Sequence, residues 1–90
     1  MSIHLRLFVA GDEPNSRRAK ENLSNLCDEY LKGDCKIETI DILKDYQTAI
    51  NDRIFVTPAL KVEMTQKPTL TIYGNLSDEK KLLSALGVKS

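Results

Sequence analysis

The chain has 90 residues, of which 41% are hydrophobic and 29% are charged. That length predicts one small domain, residues 1–90, and the composition argues against intrinsic disorder. Lys and Arg together number 13, as do Asp and Glu, so no net charge attracts the chain to nucleic acid or anionic lipid. No window approaches the roughly 20 apolar residues of a membrane span, and residues 1–4 lack the basic stretch followed by an apolar region that is typical of a secretory leader. We therefore expect a cytoplasmic protein with neither nucleic-acid nor membrane partners.

The N-terminal segment predicts a strand, a turn and the start of a helix. Apolar residues alternate from Ile3 to Ala10, and Phe8 suggests that the second face is covered near the strand's end. Gly11 breaks this strand, and Pro14 suits the first turn of a helix, where its missing N–H is not needed. In an α/β domain such a junction usually borders the functional site.

The next segment predicts a helix followed by a strand that is parallel to the first. The helix runs from Pro14 to about Lys32, and Gly33 is expected just past its end. β-Branched residues predict the strand from Lys36 to Leu43, and the right-handed crossover rule makes the two strands parallel. The apolar stripe of the helix comprises Ala19, Leu23, Leu26, Cys27, Tyr30 and Leu31.

A short second helix is predicted from a cap at Asp45 to about Asn51. Its apolar residues Tyr46, Ala49 and Ile50 are expected to face inward.

The last third of the chain predicts a hairpin and a helix. Pro58 should open an edge or bent strand over residues 59–63, and the sequence leaves its peptide isomer open. Residues 69–73 alternate and should pair back as a hairpin. Ser77 is the expected N-cap of a final helix that ends at Gly87. This helix should bury Leu82, Leu83 and Leu86.

The predicted order, β-α-β-α-β-β-α with Thr57-Pro58 before the third strand, resembles the thioredoxin-like fold, a mixed four-stranded sheet flanked by helices. Within that fold the chain resembles the KaiB family of circadian clock proteins and the similar N-terminal sensor domain of the histidine kinase SasA. The blocks that carry the resemblance are Leu7-Phe8-Val9-Ala10-Gly11, Pro14-Asn15-Ser16, Arg18-Ala19, Ile40-Asp41-Ile42-Leu43-Lys44, Asp52-Arg53-Ile54, Thr57-Pro58, Leu60, Gly74-Asn75-Leu76-Ser77, Glu79 and Lys81.

The resemblance implies a non-enzymatic, cofactor-free interaction module. KaiB proteins bind the ring-shaped ATPase KaiC, so the implied partner is a KaiC-type ATPase or a histidine kinase. KaiB proteins also adopt a second fold of the C-terminal half and self-associate, which implies a dimer or tetramer and a fold-switching chain.

Three residues are the candidate partner contacts. Arg18 and Arg53 match basic positions of the family, and Glu38 stands where the family has a lysine. Leu70 and Thr71 likewise replace a basic pair of the family. The implied docking surface is the first helix together with the edge of the second strand.

Two alternatives come from other functional classes. Ser16 lies where a glutathione transferase of thioredoxin fold carries an activating hydroxyl, although a structural role at the helix start is favoured. The other alternative is a redox-inactive domain that associates with itself.

Other chemistry is not indicated by the sequence. No cysteine lies at the start of the first helix, where thiol–disulfide catalysis requires one, and no metal or catalytic set surrounds His4. Cys27 and Cys35 fit no redox or zinc spacing and are expected to be reduced, small apolar residues.

Overall fold

The computed structural model describes residues 3–32 and 34–87, in which a mixed sheet carries helices on both faces. The expected helix end at Gly33 lies outside the described residues. Within them the strand order is β2-β1-β3-β4, with β1 parallel to β2 and antiparallel to β3, and β3 antiparallel to β4. The elements are β1 (Ile3–Val9), α1 (Pro14–Tyr30), β2 (Cys35–Asp41), α2 (Tyr46–Asn51), β3 (Ala59–Glu63), β4 (Leu70–Tyr73) and α3 (Glu79–Ala85). The predicted order of elements is confirmed.

Strand β1 is buried on both faces, as its sequence predicts. Its odd-numbered residues pack with α1 and α3 in the larger of two core clusters, which includes Leu5, Leu7, Val9, Ala19, Leu23, Leu60, Leu82 and Leu83. Phe8 points the other way and forms a smaller cluster with Ile40, Ala49, Ile54 and Ala59. The sheet therefore separates an extensive core under α1 and α3 from a small core under α2.

The third strand is a central strand, so the expectation of an edge strand is wrong. β3 pairs with both β1 and β4. Pro58 is tolerated because it precedes the first ladder pair, Phe8 with Ala59, so the ladder does not need its missing N–H. The Thr57–Pro58 peptide bond is cis, and the Pro58 carbonyl accepts a hydrogen bond from the Gly74 N–H at 2.9 Å.

Helix α2 faces the sheet with one residue rather than three. Ala49 is buried, but Tyr46 is 67% exposed and Ile50 is 51% exposed, so the inward placement of these two was wrong. The helix has only six residues, and Ile54, just beyond it, supplies the next side chain of the small core. Tyr46 and Ile50 are four positions apart and share the outward face.

Two boundaries also differ from the sequence prediction. β2 ends at Asp41 because its carboxylate accepts hydrogen bonds from the backbone N–H groups of Gly11 and Leu43, at 3.1 Å and 3.0 Å. These bonds hold the pKa of Asp41 below its usual value. The N-cap of α3 is Asp78 rather than Ser77, because the Asp78 side chain accepts a hydrogen bond from the Lys81 N–H. The Ser77 N–H donates instead to the side chain of Asn75.

The two cysteines form a disulfide, which overturns the expectation that both are reduced. Cys27 lies in the last part of α1, and Cys35 is the first residue of β2. The parallel return of β2 beside β1 brings the two Cα atoms to 6.2 Å, within the range that a disulfide spans. Sequence spacing alone did not show this proximity, because it depends on the crossover.

The start of α1 is fixed to the end of β1 through Ser16. Glu13 caps the helix by accepting from the N–H groups of Asn15 and Ser16. The Ser16 side chain has no exposed surface, and its Oγ accepts from the Ala10 N–H at 3.2 Å and donates to Glu13 at 3.4 Å. Ser16 thus ties the helix to the strand.

Replacing Ser16 with Ala should lower the free energy of unfolding by about 1–3 kcal/mol, because the Ala10 N–H loses its partner in a closed site. Ser24→Ala, at an exposed position of the same helix, should change stability by less than about 0.5 kcal/mol. Urea denaturation of both variants measures the difference, and equal effects would contradict the role assigned to the Ser16 hydroxyl.

Candidate functional site

The junction of β1 and α1 does not offer the chemistry of a thioredoxin active site. The first turn of α1 is formed by Pro14, Asn15 and Ser16, and a thiolate would need a cysteine there. The Ser16 hydroxyl is enclosed and already hydrogen-bonded to Ala10 and Glu13, so in this conformation it has no access to a ligand thiol. This geometry argues against the alternative of a glutathione transferase that uses Ser16.

The sheet face opposite α1 carries a group of charged side chains, which we call the Arg6 cluster. Arg6 contacts the carboxylates of Asp52 at 2.8 Å, Glu38 at 3.2 Å and Glu63 at 3.7 Å. Lys61 also contacts Asp52, at 3.2 Å. The cluster comprises His4, Arg6, Glu38, Asp52, Lys61 and Glu63.

Strand register produces the Arg6 cluster. Arg6 lies opposite Glu38 on β2 and opposite Lys61 on β3, and all three side chains project from the same face of the sheet. Asp52 comes from the end of α2 and closes the group. The Arg6 cluster and the small apolar core lie on the same face of the sheet; α2 covers the small core, and the cluster lies beside it.

Both cations of the Arg6 cluster, Arg6 and Lys61, are paired with carboxylates of the cluster. The hydrogen bond from Arg6, together with contact to Lys61, holds the pKa of Asp52 below its usual value, and Asp52 in turn raises the pKa of Arg6. The Arg6 guanidinium also lies 5.3 Å from the centre of the Phe8 ring. Glu63 Oε1 is buried and has only the 3.7 Å contact with Arg6. Arg6 and Lys61 are thus paired within the cluster, chiefly with Asp52, and these pairs stabilise the sheet face.

Strand β2 is an edge strand, and most of its side chains are exposed. One of its edges pairs with β1, and within the described residues no strand pairs with the other. Its burial pattern shows only Ile40 fully buried. Such an edge offers backbone N–H and carbonyl groups to an added strand.

Exposed apolar side chains are concentrated around α2. Tyr46 and Ile50 form its outward face, and Phe55 is 77% exposed in the segment that follows. We call this set the α2 surface: Leu43, Tyr46, Ile50, Phe55 and Val56. Ile37, Leu70 and Tyr73 are also exposed, on β2 and β4, but the five residues of the α2 surface lie within one short segment. Large exposed apolar groups that cluster in this way are typical of an interaction surface.

The structure separates the three residues that the sequence indicated. Glu38 lies on the edge strand, where it contacts Arg6, and Arg53 is an exposed residue with φ 58° two positions after the end of α2. Arg18 is exposed on α1, which packs on the other side of the sheet from α2. Glu38 and Arg53 therefore share a side of the molecule that Arg18 does not.

Sequence reasoning missed the α2 surface because it placed Tyr46 and Ile50 inward. The available signal was the number of large apolar residues between positions 42 and 56, which exceeds what a six-residue helix can bury.

Across residues 3–32 and 34–87, no three His, Cys, Asp or Glu side chains converge as a metal site. In the same part of the chain, no helix has the length and apolar character to cross a membrane.

Asp52→Asn should lower the free energy of unfolding at neutral pH by about 2 kcal/mol, because Arg6 and Lys61 lose a charged acceptor. The folded-state pKa of Asp52 is depressed, so its contribution is present above the unfolded-state value of about 3.9 and is lost as the pH falls through the folded-state value. The wild type should therefore lose more stability than the variant when acidified.

Chemical denaturation between about pH 7 and pH 2 measures this difference. The matched control is Asp28→Asn, at an exposed position on α1, which should keep the wild-type pH dependence. A wild-type pH dependence in Asp52→Asn would contradict the assignment.

The chain resembles solved proteins of thioredoxin-like fold. The N-terminal domain of SasA from Synechococcus elongatus superposes with a TM-score of 0.78 at 22% identity, covering 97% of this chain and 85% of that domain. Thioredoxin from Fasciola hepatica superposes with a TM-score of 0.77 at 15% identity, covering 96% of this chain and 79% of that one. These likenesses establish the fold.

Sequence comparison establishes the family. The circadian clock oscillator proteins KaiB of Rippkaea orientalis and Microcystis aeruginosa are each 42% identical over 82 residues, which is 91% of this chain and 78% of each relative. The family model of the KaiB domain matches residues 6–88. The chain therefore belongs to the KaiB family.

Proposed function

We propose that this chain is a non-enzymatic protein-interaction module that regulates a KaiC-type ATPase in clock-related signalling. The observation that carries the proposal is that an unpaired edge strand, β2, and the apolar α2 surface are exposed in a KaiB-family chain. The relatives' name, circadian clock oscillator protein, supports the clock context. A histidine kinase is the alternative partner, supported by the fold shared with the SasA domain.

The exposed groups supply two complementary kinds of contact. The free edge of β2 offers main-chain hydrogen bonds to an extended segment of the partner. The α2 surface supplies apolar area, and full burial of a side chain such as Phe55 or Ile50 stabilises a complex by about 1.5–3 kcal/mol. The α2 surface would supply most of the affinity for the partner, and the main-chain hydrogen bonds of the β2 edge would fix the orientation of the bound segment.

Charged residues around these contacts give specificity. We assign Arg53 and Glu38 to the central part of the interface, because they border the α2 surface and the β2 edge. Arg18 lies in the second turn of α1, on the other side of the sheet, and is assigned a peripheral contact. Glu38 is already bound to Arg6, so partner binding must accommodate that ion pair.

The proposal includes a second conformation of the C-terminal half. Support comes from the KaiB-family match, because KaiB proteins adopt a second fold of this half, and from α2, a six-residue helix whose buried residue is Ala49. Two packings within a few kcal/mol of each other are the condition for fold switching. Self-association as a dimer or tetramer would cover the α2 surface in the absence of the partner.

Partner binding is tested by light scattering of the chain alone and mixed with the KaiC-type ATPase of the same cell. The wild type should form a complex, and Arg53→Glu should weaken it by about tenfold or more by removing a favourable charge and adding an opposing one. Lys32→Glu is the matched control, because Lys32 is also exposed and also has a positive φ but lies beyond the C-terminal end of α1, so its charge reversal should have little effect. No complex with the ATPase, and binding to a histidine kinase instead, would reassign the partner.

The second conformation is tested by backbone chemical shifts of the free chain. Fold switching predicts two sets of signals, in slow exchange, for residues 46–87 and one set for β1, α1 and β2. A single set throughout, matching the helices and strands described above, would remove this part of the proposal.

A further inference from the structure

We propose that Cys27 and Cys35 form a reversible redox site that takes a small thiol or disulfide of the glutathione class and sets the order of the β2 edge. The inference goes beyond the proposed partner function and does not depend on it. It starts from the disulfide that joins the end of α1 to the first residue of β2.

The two cysteines differ in exposure, and this difference determines which of them an external thiol reaches first. Cys27 is 3% exposed within the core under α1, whereas Cys35 is partly exposed at the start of the edge strand. Thiol–disulfide exchange requires direct approach to the sulfur that is attacked. The incoming thiol therefore reacts at Cys35, and Cys27 is the buried resolving residue.

The exchange is balanced with glutathione disulfide as the oxidant. The Cys35 thiolate attacks one sulfur of glutathione disulfide, which breaks its S–S bond and releases one glutathione as a thiolate that takes up a proton. The Cys27 thiolate then attacks the Cys35 sulfur of the mixed disulfide, forms the Cys27–Cys35 bond and releases the second glutathione. The protein loses two electrons and two protons, and one glutathione disulfide becomes two glutathione molecules.

The disulfide matters because little else holds the first half of β2. Ile37 is 39% exposed, and the residues from Lys36 to Thr39 are all exposed. The second half is anchored differently, since Ile40 belongs to the small core and Asp41 bonds to Gly11 and Leu43. Cys35 is the residue at the strand's start that packs against the larger core.

Reduction should therefore loosen the first half of β2 and leave the second half in place. Without the disulfide, the first half of β2 is held by its ladder hydrogen bonds to β1 and by the exposed Arg6–Glu38 contact. Segments with few buried contacts and exposed hydrogen bonds open locally at low free-energy cost. The redox state of one cysteine pair would thus control the order of an unpaired sheet edge.

The first test uses wild-type protein equilibrated with defined ratios of glutathione and glutathione disulfide, followed by thiol alkylation and intact mass measurement. The protein should convert between zero and two alkylated cysteines as the ratio changes. Cys27→Ser should accept one glutathione at Cys35, and Cys35→Ser should react at least about tenfold more slowly because Cys27 is buried. Cysteines that stay unpaired at every ratio, or equal reaction of the two variants, would overturn the assignment.

The second test measures amide hydrogen exchange of the wild type in both redox states and needs no substitution. On reduction, β2 amides of residues 36–39 that bond to β1 should exchange about tenfold faster or more, while residues 40–41 stay unchanged. The Cys27→Ser/Cys35→Ser double variant is the control and should be insensitive to the redox ratio. Identical exchange of residues 36–39 in both states would contradict control of the β2 edge.

Discussion

The fold depends on the burial of β1 on both of its faces. Leu5, Leu7 and Val9 pack into the core beneath α1 and α3, and Phe8 packs beneath α2. β1 also pairs with a strand on each side, so its backbone is satisfied within the sheet. With the centre fixed in this way, β2 and β4 lie at the edges of the described sheet.

The unequal size of the two cores explains where interaction surface is available. α1 has seventeen residues and covers one face of the sheet, whereas α2 has six and covers only part of the other. The remainder of that face is occupied by the Arg6 cluster, in which Arg6 and Asp52 are 18% and 21% exposed. Arg6 and Asp52 are paired with each other, so on this side of the molecule the β2 edge and the α2 surface remain available for contacts. The other sheet edge, β4, carries the exposed residues Leu70 and Tyr73.

Much of the fold could be predicted from the sequence, because local signals and the fold agree through β1, α1 and β2. The alternation of residues 3–10, the stripe of α1 and the crossover rule gave the parallel pair correctly. The outward face of α2 could not be predicted from periodicity, since a six-residue helix is too short to show which apolar residues are buried. The Arg6 cluster depends on strand register, which brings together residues distant in sequence, such as Arg6 and Glu38. The disulfide depends on the crossover that returns β2 beside β1.

The candidate site was predicted in part. The β2 edge was expected to dock a partner and is an edge in the structure, but the proposed contacts Arg18 and Arg53 lie on opposite sides of the sheet. The family resemblance indicated which residues to consider as partner contacts. Their positions relative to one another could be read only from the folded structure. The α2 surface, which we consider the main source of affinity, came only from side-chain exposure.

The most direct test of this account is amide hydrogen exchange of the chain alone and in complex with a KaiC-type ATPase. If the β2 edge and the α2 surface form the interface, binding should protect β2 and residues 43–56, while the exposed face of α1 changes little beyond its first two turns. Protection confined to α1 and α3, with β2 and residues 43–56 unchanged, would contradict it.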